Sequence, residues 1–275
     1  MRQPLPRSLL AGATLTGLVV AIALLSLVWT PAPPGRLRMA DKLKGPLEAG
    51  LLGADHLGRD TLSMLMAGAA NSLSIAAVAV LLGGGIGVLL GLLAAGLRGW
   101  VEGMILRVSD AAFALPPVLS AILLGAVLGP GRTTAIVAIA LFLVPVFARV
   151  ARAAALQVLA RDYVLAARML GLTRFAILRD HVLPNIAGPL VVQVSLQLAL
   201  AILSEAGLSF LGLGPAPPAP SWGRMLADAQ TYLQQAPHLA LAPGLAIATC
   251  VLGFNLLGDG MAAALDPRRA TRHDA

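Results

Sequence analysis

Few side chains in this 275-residue sequence have the type and setting for chemistry, and they fall inside apolar runs. Glu205 sits about 20 residues into one such run, near its far end. A carboxylate in lipid costs several kcal/mol or more, so it must face protein or water. It is the one candidate for a substrate pathway or gate, though a pair or cap holding an outer loop is the favoured reading. Asp110, just before Pro116 and Pro117, reads as interfacial, and Asp259, between Gly258 and Gly260, as a cap for the C-terminal tail. Gln197 and Asn255 are polar groups within helices, where hydrogen bonding between helices accounts for them. The four histidines lack ligand-like spacing, and a single cysteine, Cys250, excludes an internal disulfide and a Cys-rich metal site. No G-x-x-x-x-G-K-[ST] loop is present to cradle phosphates, and no nucleophile–base constellation is visible. The chain therefore reads as no enzyme, with no cofactor or metal of its own.

The elements around these residues are membrane spans. The sequence is 58% hydrophobic and 12% charged, with a mean hydropathy of +0.84. Soluble domains are nearer a quarter charged, and the excess apolar surface needs lipid. The net charge of +7 is scattered between apolar runs, which argues against nucleic acid and for membrane topology. A spanning helix needs about 20 apolar residues. Six segments qualify: Leu9–Val28, an uncleaved first span; about Ser72–Leu97 with an amphipathic lead-in; Ala111–Gly131; Thr133 to about Ala155; Ile186–Leu211; and Leu239–Gly258. The expected organisation is one all-α transmembrane domain: 1–30 with the first span, an external loop at 31–70, a five-helix core at 71–262 and a tail at 263–275. An even number of spans puts both termini on one side. That side carries thirteen of the twenty basic residues, which predicts cytoplasmic termini.

Gly83, Gly87 and Gly91 recur on one face of the second span and predict close approach to another helix. Pro116, Pro117, Pro145 and Pro243 sit in or near spans and invite kinks. The outer segment Gly212–Ser221 holds four prolines and should be a stiff, non-helical loop. It is open whether it docks a partner, plugs a pathway or simply connects.

The stretch DYVLAARMLGLTRFAILRDHVLPN, Asp162–Asn185, is polar, basic and helix-forming, between the fourth and fifth spans. Leu165, Met169 and Leu172 keep helical spacing, as do Ala166 and Leu170. Gly171 predicts a turn, Ile177 and Leu178 begin a second short apolar face, and Pro184 suits the first turn of the fifth span. Small Ala166 and Ala167 leave the first helix thin enough for a groove on another protein.

This stretch resembles the cytoplasmic coupling loop of ATP-binding-cassette importer permeases. The family's loop has a Glu-Ala-Ala triplet, a Gly after three residues and, after nine more, a hydrophobic residue, any residue and Leu-Pro. Ala166, Ala167, Gly171, Leu183 and Pro184 fall in register; Leu165 replaces the Glu and His181 the first hydrophobic residue. Three further segments are similar to the permeases of dipeptide, oligopeptide and nickel importers. They are LGRDTLSMLMAGAANSLSIA (57–76), SEAGLSFLGLGPAPPAPSWGRML (204–226) and FNLLGDGMAAALDPR (254–268). The opening around Gly53–Gly58 departs from the family's His-Pro-Leu-Gly-Thr-Asp.

The resemblance implies an inner-membrane permease subunit of an importer for peptides or similar small solutes. It implies Leu165, Ala166, Ala167, Arg168, Gly171, His181, Leu183 and Pro184 as the residues that couple to ATPases. It also implies a paralogous permease, two ATPase subunits that carry the ATP and magnesium, an extracytoplasmic binding protein and a lipid bilayer as partners. The alternatives are a secondary transporter, which should show broken helices and an inverted repeat, and a membrane scaffold without transport. Neither the broken helices nor the repeat is evident in the sequence.

Overall fold

The computed structural model describes residues 6–114 and 117–265. Pro116, the terminal arginines Arg2, Arg268, Arg269 and Arg272, and the end of the third family-like segment lie outside the described residues. Among the described residues the fold is all helical, with only an isolated bridge between Ala54 and Asp60, before the second long helix.

The first span is α1, Arg7–Ser26. The lead-in to the second span is continuous with it: α2 runs Thr61–Leu97, 37 residues or roughly 55 Å, well beyond a bilayer core of about 30 Å. Asp60 starts α2 as a side-chain cap, its carboxylate accepting the Ser63 N–H at 2.8 Å. The expected third span is not one straight helix. α3 (Gly99–Ala114) and α4 (Pro117–Leu128) meet at 89°, at a break whose sequence includes Pro116 and Pro117. Two consecutive residues without an N–H donor and with restricted φ cannot continue a straight helix. The fourth span is α5, Arg132–Leu159, and the coupling-loop stretch opens with the short α6, Asp162–Met169. A three-residue start, α7 (Arg174–Ala176), runs through a wide π turn at Ile177–Val182 into α8, Leu183–Phe210. After the proline-rich loop come α9, Trp222–Ala229, and then α10, His238–Leu265. Among the described residues five helices are long and apolar enough to cross a bilayer, six if α3 and α4 count as one broken span.

The glycine face of α2 is consumed within the chain. A Cβ at Gly83 would lie 2.6 Å from the Ala140 carbonyl oxygen, and one at Gly87 2.5 Å from that of Val144. The missing side chains let α2 and α5 pack backbone to backbone. The close contact expected from Gly83, Gly87 and Gly91 is this seam, not one with another subunit. Phe147, Ile75 and Leu143 fill the core beside it. Gly12, Gly253 and Gly260 do the same for α1 against α10. Gly260 therefore does not break the helix, and Asp259 is exposed within the last two turns of α10 rather than capping its end. Ser195 donates to the Phe254 carbonyl at 2.8 Å and so links α8 to α10. Gln197 does not make the expected interhelical bond through its oxygen: buried Oε1 has no hydrogen-bond partner among the described residues.

Asp110 pairs with Arg149, and Glu102 with Arg152, pinning α3 along α5. The eight-residue spacing of the acids and the three-residue spacing of the arginines put each pair on one helix face, a signal present in the sequence. In the loop between α1 and α2 Lys44 pairs with Asp41 and Arg59 with Asp55. Of the five basic residues there, Arg36, Arg38, Lys42, Lys44 and Arg59, two are thus neutralised locally. The Lys44 hydrogen bond holds Asp41 below the usual carboxylate range.

Candidate functional site

Two built features stand at opposite ends of the bundle: the helix–turn–helix stretch after α5, and a knot of polar groups where α8 meets the proline-rich loop.

α6 begins with Asp162 in its first turn and has Arg168 in its last, both favourable to the helix dipole. It stops at Gly171, whose φ is +81°. The Gly171 N–H donates to the Arg168 carbonyl at 3.0 Å and the Leu172 N–H to that of Ala167 at 3.2 Å. This crossed pair is the Schellman ending, which needs a left-handed residue where Gly171 stands. Thr173 then accepts the Ala176 N–H at 3.2 Å and starts the return helix.

The return helix starts ten residues before Pro184, not at it. Pro184 has no N–H for the carbonyl four residues back, and its ring crowds that carbonyl. The π turn immediately upstream widens the helix at this point. Asn185 helps by donating to the His181 carbonyl at 2.7 Å.

One face of the loop is sealed. Val164, Ile177, Leu178 and Val182 are buried with Leu92 and Ala95 of α2 and with Ala151, Ala155 and Val158 of α5. Gly96 leaves room for this packing: a Cβ there would lie 2.6 Å from Leu178 Cδ1. The other face is bare. Met169 is 88% exposed, Leu170 81% and Phe175 70%, with Leu165 also exposed. Of the expected coupling residues, Ala167 is buried, His181 half-buried against Tyr163, and Leu165, Ala166, Arg168, Gly171, Leu183 and Pro184 are exposed. Periodicity found the stripe Leu165–Met169–Leu172. It missed Phe175 as part of the bare face and Val164 and Val182 as anchors, because single β-branched residues carry no period.

At the other end, Glu205 is fully buried. Ser209 donates to its Oε1 at 2.6 Å. Ser72 and Ser221 lie close enough to act on the same carboxylate, yet in hydrogen-bonding geometry only Ser209 donates, and Oε2 has no partner among the described residues. Ser221 also caps α9 through the Arg224 N–H at 3.3 Å. Trp222, itself buried, donates from Nε1 to the Leu65 carbonyl at 3.0 Å, and Asn71 donates to the Pro220 carbonyl at 2.7 Å. Gly223 is pressed against the Ala206 backbone and admits no side chain. The proline-rich loop is thereby tied to α2 and α8.

A bundle of long apolar helices with a proline-rich loop tied to it and a preformed helical loop bare on one face has the build of a membrane transport subunit. Residues 87–271 match the family of binding-protein-dependent transport system inner membrane components, and the chain belongs to that family. It is 42% identical over 252 residues to the glutathione transport system permease protein GsiD of Pectobacterium atrosepticum, covering 91% of this chain and 84% of that one. It is 44% identical over 226 residues to the di/tripeptide transport system permease protein DppC of Pseudomonas aeruginosa, covering 82% and 75%. Among solved structures, the inward-facing MetNI methionine ABC transporter shares the fold, with a TM-score of 0.62 at 19% identity over 74% of this chain and 96% of that one. The chain is thus a multi-pass inner-membrane permease subunit of an ATP-driven importer. ATP hydrolysis lies in partner ATPase subunits, and a binding protein is a further partner.

Proposed function

We propose that this chain forms one half of the translocation pathway of an importer for small peptides such as di- and tripeptides or glutathione. A paralogous permease forms the other half, and two ATPases each take one coupling loop. Both termini and the loop lie in the cytoplasm, and the proline-rich loop faces the extracytoplasmic binding protein. Support for the substrate class comes from the relatives, whose names specify glutathione and di/tripeptides.

The observation that carries the coupling assignment is the two-faced loop. Val164, Ile177, Leu178 and Val182 bind it to the inner ends of α2 and α5, while Leu165, Met169, Leu170 and Phe175 face outward. An ATPase groove closing on the bare face would bury those side chains, at roughly 25 cal/mol per Å2 of apolar area. Ala166 and Ala167 keep the inserted helix thin, Arg168 supplies a cation at its C-terminal end, and Gly171 sets the turn. His181, Leu183 and Pro184 begin the return into the membrane. ATP-driven motion of the groove then moves α2 and α5 with the loop, which is how alternating access would be driven. No cofactor is needed in this chain; ATP and magnesium act in the partners.

The test is uptake of a labelled dipeptide into vesicles holding the assembled transporter, with cysteines at Leu170 and Ala219 labelled from each side. ATP-dependent uptake, with Leu170 reached only from the cytoplasm and Ala219 only from outside, is expected. Uptake by this chain alone, driven by an ion gradient and indifferent to ATP, would establish a secondary transporter instead.

A further inference from the structure

A cavity of about 440 Å3 lies between the inner end of α2 and the coupling loop, lined by Gly96, Leu97, Arg98, Arg168, Leu172 and Arg174 among others. Its three arginines bring like charges together, and no carboxylate lines it. Among the described residues none of the three has an ion-pair partner, whereas Arg149, Arg152, Arg179 and Arg224 all do. Three unpaired guanidiniums around one space favour an anion there.

Two further observations say which anion. Leu82, Ile86, Leu89, Leu93 and Leu97 of α2 are all exposed, and their spacing of three or four residues puts them on one face. This apolar track ends at the cavity. Beside it Trp100, the second residue of α3, is 77% exposed, and tryptophan at the end of a spanning segment marks headgroup depth. Arg98 itself sits at φ +50°, ψ −176°, a backbone region nearly confined to glycine. A charge kept at that point, just past the last turn of α2, lies at the boundary between the track and the loop.

We propose that the cavity binds the phosphate-bearing headgroup of an anionic phospholipid of the inner leaflet, with an acyl chain along the Leu89–Leu97 track. The assignment to the inner leaflet rests on the cytoplasmic placement of the coupling loop. Met169, Leu170 and Phe175, the most exposed apolar residues of the loop, do not line the cavity and stay free for the ATPase, while Arg168 and Leu172 lie where the two sites adjoin. The lipid then bridges α2 to the moving loop, which makes coupling responsive to anionic lipid.

The experiment uses the whole transporter in nanodiscs of phosphatidylethanolamine with phosphatidylglycerol, and counts retained lipids by native mass spectrometry. Arg98→Gln and Arg174→Gln should each weaken phosphatidylglycerol retention about fivefold and leave phosphatidylethanolamine unchanged. Arg179→Gln, in an exposed pair with Asp180, should change neither. Arg98→Gly removes the charge while relieving the backbone, so it gives the same answer if the Gln variant does not assemble. Wild-type retention in the variants would overturn the proposal. So would loss of ATPase subunits with lipid retention intact, which would assign the arginines to acidic groups of the ATPase. Displacement of the lipid by inorganic phosphate would show a soluble-anion site and overturn it equally. Lipid retention is read without transport, so a wrong substrate class leaves this result standing.

Discussion

The Glu205 end of this permease, the outer end on the proposed topology, is finished within the chain, while the Gly171 end, the inner one, is not. Around Glu205 nearly every polar group finds a partner in the same polypeptide, and Trp222, Ser221 and Glu205 are all buried. Around Gly171 the backbone is just as well satisfied, yet Met169, Leu170 and Phe175 stand in solvent. A bare apolar stripe on a rigid, backbone-satisfied loop is a surface waiting for another molecule. The contrast separates two kinds of constraint. Residues around Glu205 hold this subunit together, and on the proposed function those of the bare stripe hold the transporter together. Substitutions at the outer end should therefore lower the stability of the isolated chain, and those at the inner stripe should lower ATPase binding.

The largest effect is expected at Trp222. Trp222→Ala empties a buried site and leaves the Leu65 carbonyl without its donor, for a loss of about 3–5 kcal/mol. Thermal unfolding of the detergent-solubilised chain should show a strongly lowered midpoint or no folded protein. An unshifted midpoint would mean that the outer end is not a stability element.

Glu205 comes next. Glu205→Ala strands the Ser209 hydroxyl in a buried site, an expected cost of about 1–3 kcal/mol. Glu205→Gln keeps an acceptor for Ser209 and should cost less than Ala. Equal stability of the Ala variant, combined with a large fall in uptake, would move Glu205 from the latch to the pathway.

How much of this was legible in the residues varies with the kind of signal. The spans and the loop followed from charge-free runs and helical spacing. The Gly83–Gly87–Gly91 face was legible as a contact but not its partner, because small residues announce close approach without saying to what. Asp259 was misread because Gly258 and Gly260 look like helix breakers, whereas α1 requires Gly260 as a point of contact. The bend between α3 and α4 was implied by Pro116 and Pro117, but the apolar run across them masked it. The Glu205 knot joins residues as far apart as Ser72 and Ser221, and no local pattern encodes that proximity.

At Gly171 the two kinds of constraint meet. Its φ of +81° strains any side chain by roughly 1–2 kcal/mol, while nothing lies within 4 Å of the position a Cβ would take. Gly171→Leu should therefore fold and insert with a modest loss of stability. Its side chain would project from the turn of the coupling loop and hold the ATPase off. Co-purification of the ATPase and substrate-stimulated ATP hydrolysis should fall sharply. Full ATPase binding with normal uptake in this variant would remove the loop from the transmission.

The smallest effect on the chain alone, and the sharpest contrast with Trp222, belongs to Leu170. At 81% exposure it has little left to lose within this subunit, so Leu170→Ala should change its unfolding midpoint by no more than an exposed substitution does, within about 0.5 kcal/mol. In the assembled transporter the same truncation removes apolar area that the ATPase groove would cover, up to about 2 kcal/mol or roughly thirtyfold in ATPase affinity. Truncation adds no bulk, so coupling should suffer less than in Gly171→Leu. Titrating purified ATPase against wild-type and Leu170→Ala permease, with unfolding measured in parallel, reads both quantities from one preparation. A stability loss without an affinity loss would mean that Leu170 packs inside the subunit. Unchanged affinity and stability would place the ATPase elsewhere on the loop, with Met169 and Phe175 next in line.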